Sequence, residues 1–448
     1  MLSAPMRSFI VAVKDIKLGE LSLKNGRQNS HNWSYLHGWH IQNPLDRADA
    51  IMKISGFDTL HADAGRSFSF LKITTDEGIT GWSEYTGISE IIRRKGLTSL
   101  IESMLKLLVG RDPREVEKIT SDLYLETRQS LSGLNHQAIG AIQNALLDIT
   151  AKALGVPVYR LFGGPLRTRI PMYWSHFGTY RLRRSYEIHQ KELIRDLDGM
   201  AAHAQDVMAE GYPALKTKIH YFDETGGTGY FPCFGSEPGA PELNLSPSIL
   251  KIIVDQMTAL REAVGDELDL ILDLNSNFKA DGIIRIARAT EHLNLRWLEV
   301  DVFDADTLRD IRDRSPMPIG GCEMLCTART YTPFFACRAV DVPLVDVAWN
   351  GFLESIKIAA VADVFDLNVS PHNFTGHLAT QINAHFSAIT PNLELMEYDV
   401  DEVPWLGEFF NEPLQIENGV LVLSEKPGWG MDVDEEAVRA RPPRVLIN

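Results

Sequence analysis

The sequence predicts a closed barrel of eight parallel β-strands alternating with α-helices, joined to a separate α+β domain. Eight short apolar runs recur after residue 170, and amphipathic stretches lie between most of them, while a different pattern precedes them. Strand and helix in alternation indicate a parallel sheet, and eight such units suit a barrel. An open, doubly wound sheet is the alternative, but no GxGxxG follows the first strand to support it.

The α+β domain is assigned to residues 1–150. Within it, SFSFLKITTDEGITGWSEY (67–85) holds two alternating stretches around Asp76-Glu77-Gly78, which predicts a hairpin. Apolar spacing then predicts helices as far as about Leu161, and Gly155 is a typical helix stop.

The barrel is assigned to residues 151–400. Its predicted strands are, in order, IPMYWS, PALKTKI, LDLILDL, RWLEV, MPIGGCE, PLVDV, LNVSP and LELMEY. The tail, 401–448, contains a short strand and a turn at Asn418-Gly419. We expect this tail to pack back on the N-terminal domain, because a terminal strand needs a sheet edge.

Composition and charge restrict the class of protein. The chain has 448 residues, of which 44% are hydrophobic, as in ordinary globular proteins. A net charge of −16 argues against nucleic acid or anionic membrane as the main partner. No segment reads as a signal peptide or approaches the ~20 apolar residues of a membrane span, so we expect a soluble, cytoplasmic protein. Four cysteines without a CxxC pair indicate reduced thiols.

Three carboxylates end successive predicted strands. Asp273, Glu299 and Glu323 are each about one strand-plus-helix unit apart, so their side chains converge at the carboxyl end of the barrel. Three clustered carboxylates repel one another unless a cation lies between them, and all-oxygen ligands favour Mg²⁺. Each residue alone could be a helix N-cap, but the repeated spacing favours the metal site.

Two further groups of polar side chains face this point. Lys216 and Lys218 lie two residues apart on one strand and share a face, where mutual repulsion would lower a lysine pKa and supply a base. Across the barrel, Asp346 and His372 end neighbouring strands, so the carboxylate would fix the imidazole tautomer. Glu397 ends the eighth strand, either as a protonated donor to the substrate carboxylate or as an ion-pair partner.

These residues and several longer motifs resemble the enolase superfamily, mandelate racemase subgroup. TTDEGITGWSE is similar to the hairpin of its capping domain, AIQNALLDITAKALGVPVYRLFGGPLRTRIPMY to the segment that enters its barrel, and GWGMDVDEE to its C-terminal capping motif. KTK, DLN, the two glutamates, the Asp/His pair and EYD follow in the family's order. The resemblance covers nearly the whole chain. It implies a modified, enolase-like TIM-type barrel, with a capping domain built from the N-terminal part and the tail.

By that resemblance, the three carboxylates hold Mg²⁺, Lys218 is the base with Lys216 in support, and the His372–Asp346 pair acts on the other face. Asn275 would lie near the metal and contact the substrate. Removal of the proton next to a substrate carboxylate gives an enediolate. We expect dehydration of a sugar acid to a 2-keto-3-deoxy acid. A racemase or epimerase of a hydroxy acid, a lactone cycloisomerase and a silent carboxylate-binding protein are the alternatives. Family members commonly form homo-oligomers, from dimers to octamers.

Two segments depart from the family pattern. A long insertion (220–247) follows KTK, and we expect it to be mobile, with His220 at its start as a substrate contact. The stretch NGRQNSHNWSYLHGWH places His31 and Trp33 among other aromatic residues. Because the corresponding region closes over the substrate in this family, we assign both to the binding of a hydroxylated ligand. A histidine-rich surface loop that binds adventitious metal is the alternative.

Overall fold

The computed structural model describes residues 51–85, 91–130, 132–234 and 244–443. This part begins with an antiparallel sheet in the order β1 (Ile54–Asp63), β2 (Ser67–Thr75) and β3 (Thr80–Tyr85). The β2–β3 hairpin is the predicted one, whereas β1 was not predicted and pairs along the length of β2. Helices α1 (Ile91–Lys106), α2 (Val116–Glu126) and α3 (Leu134–Leu154) follow. A Cβ at Gly81 would lie 2.2 Å from the Ala145 carbonyl oxygen, so glycine lets α3 pack closely on β3.

The strands after the capping domain contain all eight predicted barrel strands and one additional hairpin. They run in chain order as β4 (Arg169–Phe177), β5 (Ala214–Thr217), the hairpin β6 (His220–Asp223) and β7 (Gly226–Gly229), then β8 (Asp269–Asp273), β9 (Trp297–Val300), β10 (Ile319–Gly321), β11 (Val342–Asp346), β12 (Ser370–His372) and β13 (Met396–Asp399).

Parallel pairing closes the barrel. The order is β4-β5-β8-β9-β10-β11-β12, and β13 pairs in parallel with β4. A parallel bridge between Val369 and Leu393 joins the last two strands just before their named ranges. The predicted eight-stranded barrel is therefore confirmed, and the open sheet is excluded.

Helices follow most barrel strands and cover the outside of the barrel. They are α4 (Tyr186–His189), α5 (Leu197–Ala209), α6 (Pro247–Val264), α7 (Ala280–Ala289), α8 (Ala305–Arg314), α9 (Ala328–Ala336), α10 (Val347–Asn350), α11 (Phe352–Val364) and α12 (His377–Ile389). Short 3₁₀ turns occupy Val158–Phe162, Thr179–Arg181, Pro232–Phe234, Glu291–Leu293 and Leu406–Phe409. Among the described helices, none combines the length and apolar character that a bilayer crossing requires.

The predicted insertion begins as the β6–β7 hairpin. Arg183 donates to Asp223, to the Gly226 carbonyl and to Thr228 of this hairpin, and the expected mobility of the insertion stays a prediction. Residues 235–243 of the insertion lie outside the described ranges.

The tail divides between the barrel and the capping sheet. The hairpin β14 (Ile416–Glu417) and β15 (Val420–Val422) pairs antiparallel with residues 169–171 of β4. The tail packs on the N-terminal domain as predicted, since the Trp429 backbone donates to Asp148 and its ring N–H to the Trp82 carbonyl. Its strand joins β4 and not the N-terminal sheet, because β4 begins before its pairing with β13 at Met172 and offers a nearer edge. The last helix, α13 (Glu435–Ala440), leads instead to Arg441, whose carbonyl accepts from the Asp63 backbone at the end of β1. The domain limits at 150 and 400 stay predictions.

Among the described residues, two large apolar cores and one small cluster hold these layers together. The larger lies between the barrel strands, the surrounding helices and the capping sheet. The smaller fills the inside of the barrel below the site and comprises Tyr173, Ala214, Ile271, Trp297, Val342, Leu344 and Leu395. Gly320 is needed there, because a Cβ would lie 2.4 Å from the Trp297 ring.

Candidate active site

The inward side chains of the barrel strands change from apolar to polar toward the carboxyl end, which places a polar layer above the apolar core. Side chains two residues apart on a strand face the same side, so each inward apolar residue is followed by an inward polar one toward the carboxyl end. The pairs are Ala214 and Lys216, Ile271 and Asp273, Trp297 and Glu299, Leu344 and Asp346, and Leu395 and Glu397. The barrel thus brings five of the predicted residues to one layer above its apolar filling.

Lys216 lies at the centre of this layer and is buried. Its Nζ is 2.6 Å from Glu299 Oε1 and 2.7 Å from Glu397 Oε1. Burial alone would lower the pKa of Lys216, but the two carboxylates outweigh it and raise that pKa well above its usual value. The expectation that lysine repulsion lowers the pKa is therefore wrong for Lys216, because its nearest neighbours are anions.

Lys218 lies one residue beyond the end of β5 and is half-buried. Its Nζ is 5.6 Å from the centre of the Phe231 ring, in the segment that follows the β6–β7 hairpin. Gln256 donates to the Lys218 carbonyl at 2.8 Å and fixes the backbone at this point. The two lysines therefore differ in setting: Lys216 is held in an ion-pair network, and Lys218 is nearer the surface.

The three predicted metal ligands lie at adjacent strand ends. Asp273 and Glu299 are paired in register on β8 and β9, and Glu323 lies in the loop after β10. Each carboxylate currently has its own partner: Asp273 accepts from Asn275, Glu299 from Lys216 and Glu323 contacts His372. In the described part of the chain, no three His, Cys, Asp or Glu side chains are grouped closely enough to hold a metal ion.

The donor set nevertheless fits a hard cation. Burial raises the pKa of Glu299 to about 7, with a further contribution from Asp273, and burial raises the pKa of Glu323 well above its usual value. The pKa values of these two carboxyls stay raised even beside Lys216 and His372, so a further cation would be favourable here, and oxygen ligands suit Mg²⁺. Asp273, Glu299 and Glu323 would hold such an ion.

Asp301 is a fourth carboxylate that the sequence reasoning missed. It follows Glu299 by two residues, and its pKa is raised to about 6 by burial and by Asp273. Ser276 donates to its carboxylate at 3.4 Å. The signal was the EVD pattern at the end of β9, where alternation places a second acidic residue on the same face.

The predicted Asp346–His372 pair forms directly across neighbouring strands. His372 Nδ1 is 2.9 Å from Asp346 Oδ2, while Asp346 Oδ1 accepts from the Trp349 backbone N–H at 2.8 Å and caps α10. The remaining ring nitrogen, Nε2, lies 3.3 Å from Glu323 Oε2. Burial alone would lower the pKa of His372, but Glu323 and Asp346 raise it to about 10.

Glu397 is an ion-pair partner of Lys216 in this arrangement. It also accepts from the Asn373 backbone N–H at 2.9 Å and from the Ser175 hydroxyl. Burial would raise the pKa of Glu397, but Lys216 and then His372 hold it well below its usual value. These contacts favour the ion-pair interpretation over a protonated donor.

The predicted substrate contacts differ in their placement. Asn275 is buried beside Asp273 with a positive φ of 50°, and its Oδ1 has no hydrogen-bond partner within the described chain. His220 is fully buried, and its Nε2 lies 3.5 Å from the Thr179 hydroxyl. Strand β6 places the ring inward under Gly178, and the assignment of His220 as a substrate contact stays a prediction. His31 and Trp33 lie outside the described residues.

The capping sheet reaches the barrel through Glu84. Its carboxylate accepts from the backbone N–H groups of Gly376 and Ala379 at the start of α12, a favourable place for negative charge. This loop follows His372 directly, so a residue of the capping domain fixes the segment behind the imidazole. The sequence carried no signal for this contact.

A second group of polar residues, missed in the sequence, lies one level above the lysine layer. We call it the upper cluster, and its members are Arg66, His176, Tyr180, Asp399 and Glu402. Asp399 Oδ2 accepts from His176 at 2.9 Å, Tyr180 at 2.7 Å and Arg66 at 3.1 Å, and Arg66 also binds Glu402. Of the motifs found in the sequence, only EYD includes a member of this cluster, Asp399.

Known proteins match both domains. The family model "Mandelate racemase / muconate lactonizing enzyme, N-terminal domain" matches residues 55–163, and "Enolase C-terminal domain-like" matches residues 199–437. A D-galactonate dehydratase family member of Streptomyces bingchenggensis is 31% identical over 90% of this chain and 95% of its own length. The D-gluconate dehydratase of Thermoproteus tenax is 28% identical over 85% of this chain and 72% of its own.

A solved structure is also similar. It is the "putative L-alanine-DL-glutamate epimerase" of Burkholderia xenovorans strain LB400, bound to magnesium and fumarate. It is 42% identical with a TM-score of 0.83, and the match covers 88% of this chain and 97% of that one. The match confirms the predicted barrel and capping architecture.

Proposed function

Because the chain belongs to the mandelate racemase / muconate lactonizing enzyme family of the enolase superfamily, we propose that it is a Mg²⁺-dependent dehydratase of a sugar acid. The family assignment made from the sequence is confirmed, and with it the expectation of an enzyme. The observation that carries the proposal is the His372–Asp346 pair, which lies across the carboxylate set from the lysine strand.

Lys218 is the proposed base. It takes the proton from the carbon next to the substrate carboxylate, and the electron pair left behind gives the enediolate. Lys216 stays charged between Glu299 and Glu397 and would supply positive charge beside the substrate carboxylate. Bound Mg²⁺ supplies positive charge against the charge that develops on those oxygens.

His372 is the proposed acid. Since Asp346 Oδ2 accepts from Nδ1, the proton that can be transferred lies on Nε2. Transfer of that proton to the β-hydroxyl oxygen breaks the carbon–oxygen bond and releases water. The enol that remains becomes the 2-keto acid. Atoms balance, because sugar acid yields keto acid plus one water and no redox partner takes part.

Epimerisation is the second candidate, and the 42% identical solved relative, named an epimerase, favours it. In that reaction His372 would return a proton to the α-carbon from the opposite face, so the same two groups serve both outcomes. Lactone cycloisomerisation stays a third prediction.

The test uses purified full-length protein with Mg²⁺ and a panel of sugar acids. Dehydration predicts release of 2-keto acid, whereas epimerisation predicts deuterium from D₂O at the α-carbon of recovered acid with no keto acid. Lys218→Met and His372→Asn should each abolish keto-acid release, while Lys426→Met, at an exposed position, serves as the control. Full activity in both site variants would refute the mechanism.

A further inference from the structure

The upper cluster has a fixed position relative to the proposed chemistry. Asp399 follows Glu397 by two residues on β13, so both face the barrel interior, and Asp399 lies roughly 6–7 Å nearer the mouth. Phe374 connects the two levels, since its ring lies 5.0 Å from that of His372 and 6.3 Å from that of His176. A substrate held by its carboxylate at the lysine layer would therefore extend its far end toward this cluster.

The backbone around His176 is irregular in two ways. The pairing of β4 with β5 shifts register between Trp174 and Phe177, as in a β-bulge. His176 itself has a positive φ of 50°, which a residue with a side chain rarely adopts. Bulges and strained residues commonly redirect side chains at functional sites. Here the irregularity accompanies a contact between the His176 ring and Asp399 on the neighbouring strand β13.

The charges of the cluster nearly cancel. Its one guanidinium, Arg66, lies between the rings of Phe68 and Phe374, 5.1 and 5.3 Å from their centres, and contacts both Asp399 and Glu402. Burial raises the pKa of Glu402 to about 8 and that of Asp399 to about 6, so one proton is retained between them. The cluster is rich in hydrogen-bonding groups but carries no surplus positive charge.

Among the residues that the structure describes, the groups beside the upper cluster do not add usable positive charge. Lys216 and Lys218 face His176, but Lys216 is already paired with Glu299 and Glu397, and Lys218 is assigned to the reacting carbon. The pKa of His176 is lowered well below its usual value, by burial and then by Lys218, so the ring is neutral. With Nδ1–H donated to Asp399, its Nε2 is an acceptor for a hydroxyl group.

We propose that the upper cluster binds the far end of the substrate and selects a sugar acid that ends in a neutral hydroxymethyl group over the matching diacid. The inference rests on the proposed function and names the substrate class of that site. A second carboxylate would have to be desolvated beside Asp399 and Glu402 with no free cation of the cluster to meet it. Hydroxyl groups can instead exchange hydrogen bonds with His176, Tyr180 and the carboxyls.

Matched pairs of acids test this. D-gluconate is compared with D-glucarate, and D-galactonate with galactarate, by kcat/KM for keto-acid release and by calorimetric binding to the magnesium-loaded protein. The monoacid of at least one pair should be preferred at least tenfold in both measurements. Binding of the diacid as tightly as the monoacid in both pairs, or binding of none of the four acids, would overturn the proposal.

Variants of the upper cluster test whether it is the source of the preference for the monoacid. Asp399→Asn frees the Arg66 guanidinium from one carboxylate and should reduce the preference for the monoacid at least tenfold. Glu402→Gln tests the same guanidinium if the first variant does not fold. Glu412→Gln, an exposed partner of Lys426 in the tail, is the control and should leave the ratio unchanged. An unchanged ratio in both cluster variants would refute the assignment.

The two proposals fail separately. If no acid gives keto acid but the monoacid binds more tightly, the proposed dehydration is wrong and the subsite stands. If keto acid forms faster from the diacid, dehydration stands and the subsite is wrong.

Discussion

Replacement of Asp346 by asparagine separates the two proton transfers. Each carboxylate oxygen of Asp346 accepts a different hydrogen bond. Oδ2 accepts from His372 Nδ1 at 2.9 Å, and Oδ1 accepts from the Trp349 backbone N–H at 2.8 Å. Asp346→Asn retains an oxygen to cap α10 but removes the negative charge beside the imidazole. The thermal midpoint should therefore change little, while catalysis by His372 is impaired.

The magnitude follows from the lost interaction. A hydrogen bond to a charged group contributes about 1.5–3 kcal/mol, and each 1.4 kcal/mol is tenfold, so water release should slow by about 10- to 150-fold. Lys218 follows β5, which lies four strands from β11 and Asp346 in the barrel order, so exchange of the α-proton should continue near its original rate.

The assay follows both rates in one sample. Keto acid is measured colorimetrically, and deuterium at the α-carbon of remaining substrate is measured by NMR in D₂O. Asp341→Asn changes the residue just before the same strand, at the opposite end of the barrel, and is the control. Equal loss of exchange and of water release would assign Asp346 to the first step, and unchanged water release would refute the role of the pair.

Three further predictions concern stability and the metal. Lys216→Met leaves Glu299 and Glu397 buried without their shared ammonium and should lower the free energy of unfolding by about 3–5 kcal/mol. The exposed control Lys426→Met should lower it by only about 0–1 kcal/mol. Equal losses for the two variants in urea unfolding would contradict the ion-pair network. Burial lowers the pKa of His385 to about 3, so the unfolded chain binds a proton here below pH ~6.5 that the folded protein does not. The free energy of unfolding should therefore fall by about 1.4 kcal/mol per pH unit below pH ~6.5. His385→Gln should flatten this fall between pH 7.5 and 5.5, and parallel plots of unfolding free energy against pH for the two proteins would contradict it. Mg²⁺ at a hundred times its Kd should raise the free energy of unfolding by about 2.7 kcal/mol, and Glu299→Gln should abolish most of that gain; no shift in the unmodified protein would argue against the carboxylate site.

The barrel and the polar layer around Lys216 could be predicted because local sequence patterns encode them. Each barrel strand is an apolar run that ends in a polar residue, and parallel strands bring those ends together. The Asp346–His372 contact needed only that β11 and β12 be neighbours, which their order along the chain supplies. The strand β1 was missed because ISGFDTLHAD does not alternate clearly: most of its residues are half-buried.

The upper cluster could not be predicted because its contacts are distant in sequence. Arg66 meets residues 333 and 336 positions away, and His176 meets one 223 positions away. Nothing in the turn after β1 or in the end of β4 indicates that a guanidinium and an imidazole share one carboxylate. The burial of His220 was missed for a related reason, since the sequence does not show that the insertion folds into a hairpin that buries this residue.

The pairing of β15 with the start of β4 has a consequence for the order in which the protein is made. Arg169, at the start of β4, and its ion-pair partner Glu417 are separated by 248 positions, so the first barrel strand is synthesised long before its antiparallel partner leaves the ribosome. Until then the backbone of residues 169–171 has an open edge, available to any extended chain nearby. A chain truncated after residue 400 would keep that edge open permanently, so we expect such chains to associate through it.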